Sequence, residues 1–296
     1  MSQSFTFYLV TFFIKQSGLK KIFSTDPVDY KKLRKTDVLV PATSFYKKRK
    51  IKIFDILKSK ITEISNIKSQ NKLVLFIHGG AFVSGPCQHH WDSIQSIVEK
   101  TDYNVWLCNY PKAPEHNLTE INKNIDAVYE AALQQYKAKN IILIGDSAGG
   151  SLVLTLTQRA LQQNIEIPKK VIAISPVVDA SFTNPKIDEV DKKDIILSKK
   201  GVLSAKRMTI GDTNINEKSI SPINGDFSNF PELHLFIAEN DISFPDQELL
   251  VQKLNRLKTN HLVYVGKKMP HIWPLLPIMH ESKIALNQII DIIKKD

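Results

Sequence analysis

Cysteine is scarce in this chain: Cys87 and Cys108 are the two in 296 residues. Two thiols without metal-ligand spacing exclude a disulfide framework and a cysteine-rich metal centre. Cys108 sits in an apolar run and reads as a small core residue. Both thiols fit the reducing, cytoplasmic compartment, which is the expected location. Long apolar runs are missing as well. Phe5–Ile14 is an apolar stretch of about ten residues, too short to cross a bilayer. It lacks the basic flank and small-residue cleavage site of a secretory leader, so neither a leader nor a stable membrane span is expected. Within it Phe5, Tyr8, Leu9, Phe12 and Phe13 recur at helical spacing. That spacing predicts an amphipathic helix that covers a groove or associates with a surface. Internal repeats and low-complexity tracts are absent too. His89 and His90 are adjacent and so cannot share one helical face, and no carboxylate stands at ligand spacing from them. No metal and no cofactor are expected.

What the chain has in excess is positive charge, a formal +10 at neutral pH. A basic balance of this size suits a nucleic-acid or anionic-surface partner when it is concentrated. Here it is dispersed through pairs such as Lys20-Lys21, Lys31-Lys32, Lys169-Lys170 and Lys267-Lys268. No nucleic-acid-binding motif accompanies them, so no nucleic-acid partner is expected. The oligomeric state stays open, a homodimer included.

The organisation of the chain lies in its alternation. Strand-like runs at Ile51–Leu57, Ile61–Ile64, Leu73–Ile77, Val105–Asn109, Ile141–Ile144, Val171–Ile174, Leu233–Ala238 and Leu262–Val265 are interleaved with helical patterns. Those helices fall at His90–Lys100, Leu118–Tyr136, Ser151–Gln163, Asp246–Leu257 and Pro277–Ile293. This order predicts an α/β fold with a mostly parallel central sheet flanked by helices. The segment from about Ser181 to Phe230 reads as polar and mostly irregular, yet it is too long for a plain connection. With the N-terminal helices it is expected to form a lid over the strand ends.

Chemistry concentrates at Gly145-Asp146-Ser147-Ala148-Gly149-Gly150, between an apolar β-branched strand and a helix-forming run. The pattern Gly-x-Ser-x-Gly in a strand–turn–helix context is that of a nucleophile elbow. The turn is tight enough to push the Ser147 hydroxyl out over the sheet end, while the next helix aims its N–H groups at the site. Such a serine needs a base, an orienting acid and donors for an oxyanion. Phe76-Ile77-His78-Gly79-Gly80-Ala81-Phe82 follows the buried strand Leu73–Ile77 and offers backbone donors. Those of Gly79 and Gly80, with the N–H of Ala148, are expected to stabilise the anion, at about 3 kcal/mol each. Downstream, Asp241 follows strand Leu233–Ala238, and His271 follows strand Leu262–Val265. Both therefore stand at strand carboxyl ends, where sites of open α/β sheets lie. The predicted roles are nucleophile for Ser147, general base for His271 and orienting acid for Asp241. Asp246 and Glu239 are rival acids, but Asp246 stands where a helix N-cap is expected. His78 precedes the nucleophile and reads as a turn-stabilising residue. Phe82, Val83 and Trp273, with the helix around Phe5–Phe13, are the expected pocket lining.

These blocks together resemble one family. His78-Gly79-Gly80-Ala81-Phe82, Asn109-Tyr110-Pro111-Lys112-Ala113-Pro114-Glu115-His116, Gly145–Gly150, Ser175-Pro176 with Asp179, Asp241, and Pro270-His271 with Trp273 are similar to the hormone-sensitive-lipase-like esterases. The resemblance covers residues 73 to 275. It implies the α/β-hydrolase fold as one domain over 1–296, with cap elements at about 1–45 and, after the sixth strand, 181–228. It also implies hydrolysis of short- to medium-chain carboxylic esters by a serine esterase without a cofactor. Two other readings stand beside it: an arylformamidase-like amide hydrolase, and a non-catalytic ligand-binding member of the fold. One departure is plain, because the family usually has His-Gly-Gly-Gly and here the last position is Ala81. Its methyl group narrows the donor loop and bears on acyl preference.

Overall fold

A computed structural model describes residues 3–41, 44–47, 49–66, 71–211, 214–276 and 278–295. Parts of both expected cap elements (residues 1, 2, 42, 43, 212 and 213) lie outside the described residues, as does Pro277. The helices are α1 (Phe5–Gln16), α2 (Leu19–Ile22), α3 (Tyr30–Arg34), α4 (Ser44–Lys47), α5 (Gln88–Lys100), α6 (Leu118–Gln135), α7 (Ala148–Gln162), α8 (Ile187–Asp191), α9 (Lys199–Ile210), α10 (Phe244–Leu257) and α11 (His280–Lys294). The strands are β1 (Ile51–Ile56), β2 (Ser59–Ile64), β3 (Leu73–Ile77), β4 (Asn104–Asn109), β5 (Ile141–Asp146), β6 (Lys170–Ile174), β7 (Glu232–Ala238) and β8 (His261–Gly266).

Among the described residues these strands form one sheet in the order β1-β2-β4-β3-β5-β6-β7-β8. β2 runs antiparallel to β1 and β4, and the remaining neighbours are parallel. The inner parallel strands β3 to β7 are buried on both faces, as a sheet with helical crossovers must be, and β8 is a partly exposed edge. Alternation along each strand decides which residue goes where. Leu73, Leu75 and Ile77 join a core with Ile121, Ile125, Leu152 and Leu250, residues of α6, α7 and α10. Val74 and Phe76 point the other way, to Trp91 and Ile94 of α5 and Ile289 and Ile293 of α11. The doubly covered α/β sheet expected from the alternation is thus the architecture observed.

A third cluster ties the N-terminal helices to the segment between β6 and β7. Phe23, Val28 and Leu33 pack with Phe182, Ile187, Leu197 and Val202. That segment is mostly irregular, as the sequence suggested, but it also carries two helices that the sequence did not announce, α8 and the twelve-residue α9. The N-terminal expectation holds for the helix itself and fails for its aromatic face covering a groove. α1 forms, but Phe5, Tyr8, Phe12 and Phe13 are exposed, and its inward face is Phe7, Val10 and Ile14. Ser4 caps the helix and anchors it to α11 through Glu281, whose Oε2 accepts from the Ser4 hydroxyl at 2.8 Å. No described helix is long and apolar enough to cross a membrane.

Candidate active site

β5 is central in the sheet, and its last residue is followed at once by Ser147 with φ 52° and ψ −120°. This is a sparsely populated region for a side chain-bearing residue, held only because its surroundings determine it. The Ser147 N–H donates to the Ile174 carbonyl of β6 at 2.8 Å. Across the turn, α7 starts so close to β3 that a Cβ on Gly149 would lie 2.0 Å from the Ile77 carbonyl oxygen. Only glycine permits that approach.

Three side chains from three strand ends meet there. His271 Nε2 is 2.9 Å from Ser147 Oγ, and His271 Nδ1 is 2.7 Å from Asp241 Oδ2. A carboxylate only accepts, so Nδ1 carries the ring proton and donates it to Asp241, which leaves Nε2 to accept from the serine hydroxyl. Asp241 is held in turn by the Ser243 N–H at 2.8 Å, and both His271 and Asp241 are buried. Burial pushes the His271 pKa down, but the directly bonded Asp241 carboxylate, with the charges of Asp194 and Asp146 beyond it, outweighs this, and the net shift is upward.

The donor loop departs from expectation at one atom. The Gly79 N–H donates to Asp146 Oδ1 at 2.9 Å, so it is not free to face an oxyanion. The N–H groups of Gly80 and Ala81 donate to no backbone or side-chain acceptor among the described residues, and that of Ala148 is an orphan donor of the first turn of α7. Ala81 and Phe82 both adopt positive φ, 54° and 64°, which turns the loop toward Ser147. Asp146 is fully buried, with His90 Nε2 3.1 Å from its Oδ1. Burial raises its pKa, yet the neighbouring imidazoles and the Gly79 N–H outweigh that and hold it at about 2. This buried anion braces the donor loop against the elbow.

The rivals fall elsewhere. Asp246 is not the N-cap of α10, which is Ser243; it is the third residue of that helix, and burial pushes its pKa up to about 6. Glu239 accepts from the Lys268 N–H at 2.8 Å at the surface. His78 stacks on Tyr110 at 4.6 Å between centroids and has Nδ1 2.5 Å from the Gly79 carbonyl oxygen, a turn-holding position. One spacing inference is overturned: the start of α5 brings a ligand atom from each of Cys87, His89 and His90 within 4.8 Å of one another. His90 Nδ1, however, accepts the Cys87 N–H at 2.8 Å, and its other nitrogen faces Asp146. Burial also pushes the Cys87 thiol up to about 11, so it stays protonated. The trio offers far less than the ligand set of a structural metal.

Ser147 and His271 open into a cavity of about 510 Å³. Its walls come from the donor loop (Gly80, Ala81, Phe82), the N-terminal helices (Phe23, Leu33) and α9 (Val202, Lys206). Phe82 therefore lines it as expected, whereas Val83 and Trp273 do not. Val83 is fully buried in the cluster beneath the loop. The Trp273 indole lies against Gly266 at the end of β8 and borders a different cleft. No residue of Phe5–Phe13 reaches the cavity. A larger cleft of about 670 Å³ runs along α6 past Asn122 and Asp126, far in sequence from the elbow and without Ser147 or His271.

Sequence reading missed three residues of this region. Asp194 precedes α9; its Oδ1 accepts from Ile196 and Leu197 N–H, and its Oδ2 from the Ile242 N–H at 3.0 Å, next to Asp241. Burial and the Asp241 charge push its pKa up to about 6. His90 and Lys206 are the others, and no local pattern marks any of the three.

A sequence-family model described as alpha/beta hydrolase fold matches residues 74–275. An esterase of Acinetobacter venetianus is 30% identical over 208 residues, 69% of each chain. A carboxylesterase/phospholipase of Mycobacterium tuberculosis, LipF, is 27% identical over 75% of this chain and 62% of its own length. Among solved structures, an esterase from the bacterial hormone-sensitive lipase family superposes with a TM-score of 0.86 at 22% identity over 99% of both chains.

Proposed function

This chain belongs to the alpha/beta hydrolase fold family, the group its resemblance to hormone-sensitive-lipase-like esterases pointed to, and from that premise we propose that it is a serine carboxylesterase. The observation that carries the proposal is the continuous chain Asp241–His271–Ser147, with contacts of 2.7 and 2.9 Å at the ends of β7, β8 and β5. Ser147 Oγ attacks the ester carbonyl carbon as His271 Nε2 takes its proton. The carbonyl oxygen becomes an anion beside the N–H groups of Gly80, Ala81 and Ala148. Collapse breaks the bond to the alcohol oxygen, which leaves with the proton from His271, and the acyl group stays on Ser147. Water then attacks the acyl carbon while His271 takes its proton. The second collapse releases the carboxylic acid and returns that proton to Ser147 Oγ. The net change is ester plus water to acid plus alcohol.

The N-terminal helices with α9 act in this reading as a cap, because they supply the outer walls of the cavity, and α8 packs behind them. A volume of about 510 Å³ lies in the range of small-ligand pockets. It suits short- to medium-chain acyl groups. Hydrolysis of p-nitrophenyl acetate and butyrate by wild type and Ser147→Ala tests the proposal, together with labelling by a fluorophosphonate. Wild type should take up the probe at Ser147, and the variant should lose activity by about 10⁴-fold or more, as loss of a triad nucleophile does. Equal turnover by the two proteins, with Ser147 unlabelled, leaves a ligand-binding fold without this chemistry.

A further inference from the structure

Helix α9 exposes Lys200 and Arg207 and turns Val202, Ala205, Lys206 and Thr209 inward. A lysine on the buried stripe of an amphipathic helix is out of place, since lysine is almost never fully buried unless it is paired. Long basic side chains normally snorkel, letting the charged end reach water. Lys206 does not: its Nζ is buried and has no hydrogen-bond partner among the described residues. The ammonium rests on the face of Phe82, 4.4 Å from the ring centroid. Among the described residues Asp179 is the acidic group whose charge acts on it, and that carboxylate already accepts from the Ser181 N–H.

Position gives this oddity a use. Lys206 and Phe82 line the same cavity as Ser147, Ala81 and His271. The rest of the wall near Lys206 is apolar, with Val177, Ile196, Leu197 and Val202. We propose that Lys206 is the specificity determinant of this pocket and receives a carboxylate carried by the ester substrate, so that the preferred substrates are hemiesters of short dicarboxylic acids. The proposal rests on the esterase reading of Ser147. A cation–π contact is weaker than a charge-assisted hydrogen bond to a carboxylate. An entering carboxylate therefore draws the ammonium off Phe82 by rotation about its four-carbon stem. The low dielectric of the pocket strengthens the new pair. A single ammonium with apolar walls suits a monoanion better than a phosphate, which needs several donors. Lys32 lies exposed at the rim of the same cavity, and the net charge of +10 draws anions toward it. Burial holds the amine near pKa 7, and a bound anion shifts it back to the charged form.

The test compares monoethyl succinate and monoethyl glutarate with neutral diethyl succinate, by acid release at pH 7. Wild type should favour a hemiester, and the hemiester-to-diester ratio of kcat/KM should fall roughly 10- to 100-fold in Lys206→Met, the worth of a hydrogen bond to a charged group. Lys206→Arg should regain part of the ratio. Because each ratio is taken within one protein, a partial loss of folded enzyme cancels. Inhibition of wild-type diester hydrolysis by glutarate gives a readout that needs no variant, and inorganic phosphate should inhibit less. Diester hydrolysis without any hemiester preference, or unaffected by glutarate, overturns the assignment of Lys206 and leaves the esterase reading standing. Stronger inhibition by phosphate overturns the choice of carboxylate. Failure to hydrolyse any of the esters overturns the esterase reading, and the hemiester proposal with it.

Discussion

In the proposed mechanism two opposing effects at His271 set the working pH. Desolvation favours the neutral ring, while the Asp241 carboxylate 2.7 Å away, helped by Asp194 and Asp146, favours the imidazolium, and together these charges prevail. The base works only when neutral, so the acid limb of kcat/KM should lie above the ordinary histidine value of about 6.5. Asp241→Asn removes the main cause of that rise. Its limb should move to lower pH, with a plateau lower by about 10⁴-fold because the ring loses its imposed tautomer. A pH–rate profile of the variant whose limb stays in place would falsify Asp241 as the dominant influence. As a stability term the raised pKa works the other way. The protonated, paired ring favours the folded state below pH 6.5, and that gain is lost as pH rises through the folded pKa. These three residues were legible in the sequence because each follows a strand at its carboxyl end, in the chain order of the fold. Their supports were not. Asp194 reaches the Asp241 loop from a distant segment, and the Gly79 N–H is engaged by Asp146, a side chain that the motif leaves unspecified. Such contacts exist only after folding and leave no spacing to read.

Elements were legible wherever period and burial agreed. The strand Leu73–Ile77 is observed with the boundaries expected of it, since an apolar run buried on both faces has no other use. α1 misled because it is apolar nearly all round. Two stripes compete on it, and tertiary packing chose Phe7, Val10 and Ile14 over the more aromatic face. α9 was hidden for the opposite reason, because Lys206 and Gly201 interrupt its apolar stripe with a charge and a gap. That gap is structural. A Cβ on Gly201 would lie 2.0 Å from the Phe23 carbonyl oxygen, a backbone atom at the end of α2. Gly201→Val must therefore pry the N-terminal helices from α9, at a cost of about 1–3 kcal/mol if other overpacked cores are a guide. Because both elements wall the cavity while the triad sits on strand ends, KM should rise more than kcat falls. Thermal melting and butyrate kinetics on the same preparation check this, and an unchanged melting temperature would show that the joint yields freely.

For the molecule as a whole, Lys206 makes folding depend on pH in the range where proteins are usually handled. The folded amine titrates near 7 because burial disfavours the ammonium, whereas the unfolded lysine titrates near its ordinary 10.5. Between those values the unfolded chain holds a proton that the folded chain has lost, so this residue makes stability rise with pH across that window. Below pH 7 both states are protonated and the folded state carries the full penalty of an unpaired buried charge. Other groups pull in other directions: His271 favours folding at low pH, and the buried carboxyl of Asp194, held near 6, is easier to accommodate protonated. Comparing wild type with Lys206→Met cancels these shared contributions, provided the sites do not couple. The variant should melt at a higher temperature than wild type, with the largest gain at pH 6.5 and a shrinking one at pH 8 and 9.5. A gain that stays constant over the three pH values would mean that the amine is not the source, and that the methionine simply packs better. The same protein that loses hemiester preference should therefore be the more stable one, most clearly where the ammonium form dominates, as expected when a charge kept for a ligand is buried at a cost to the fold.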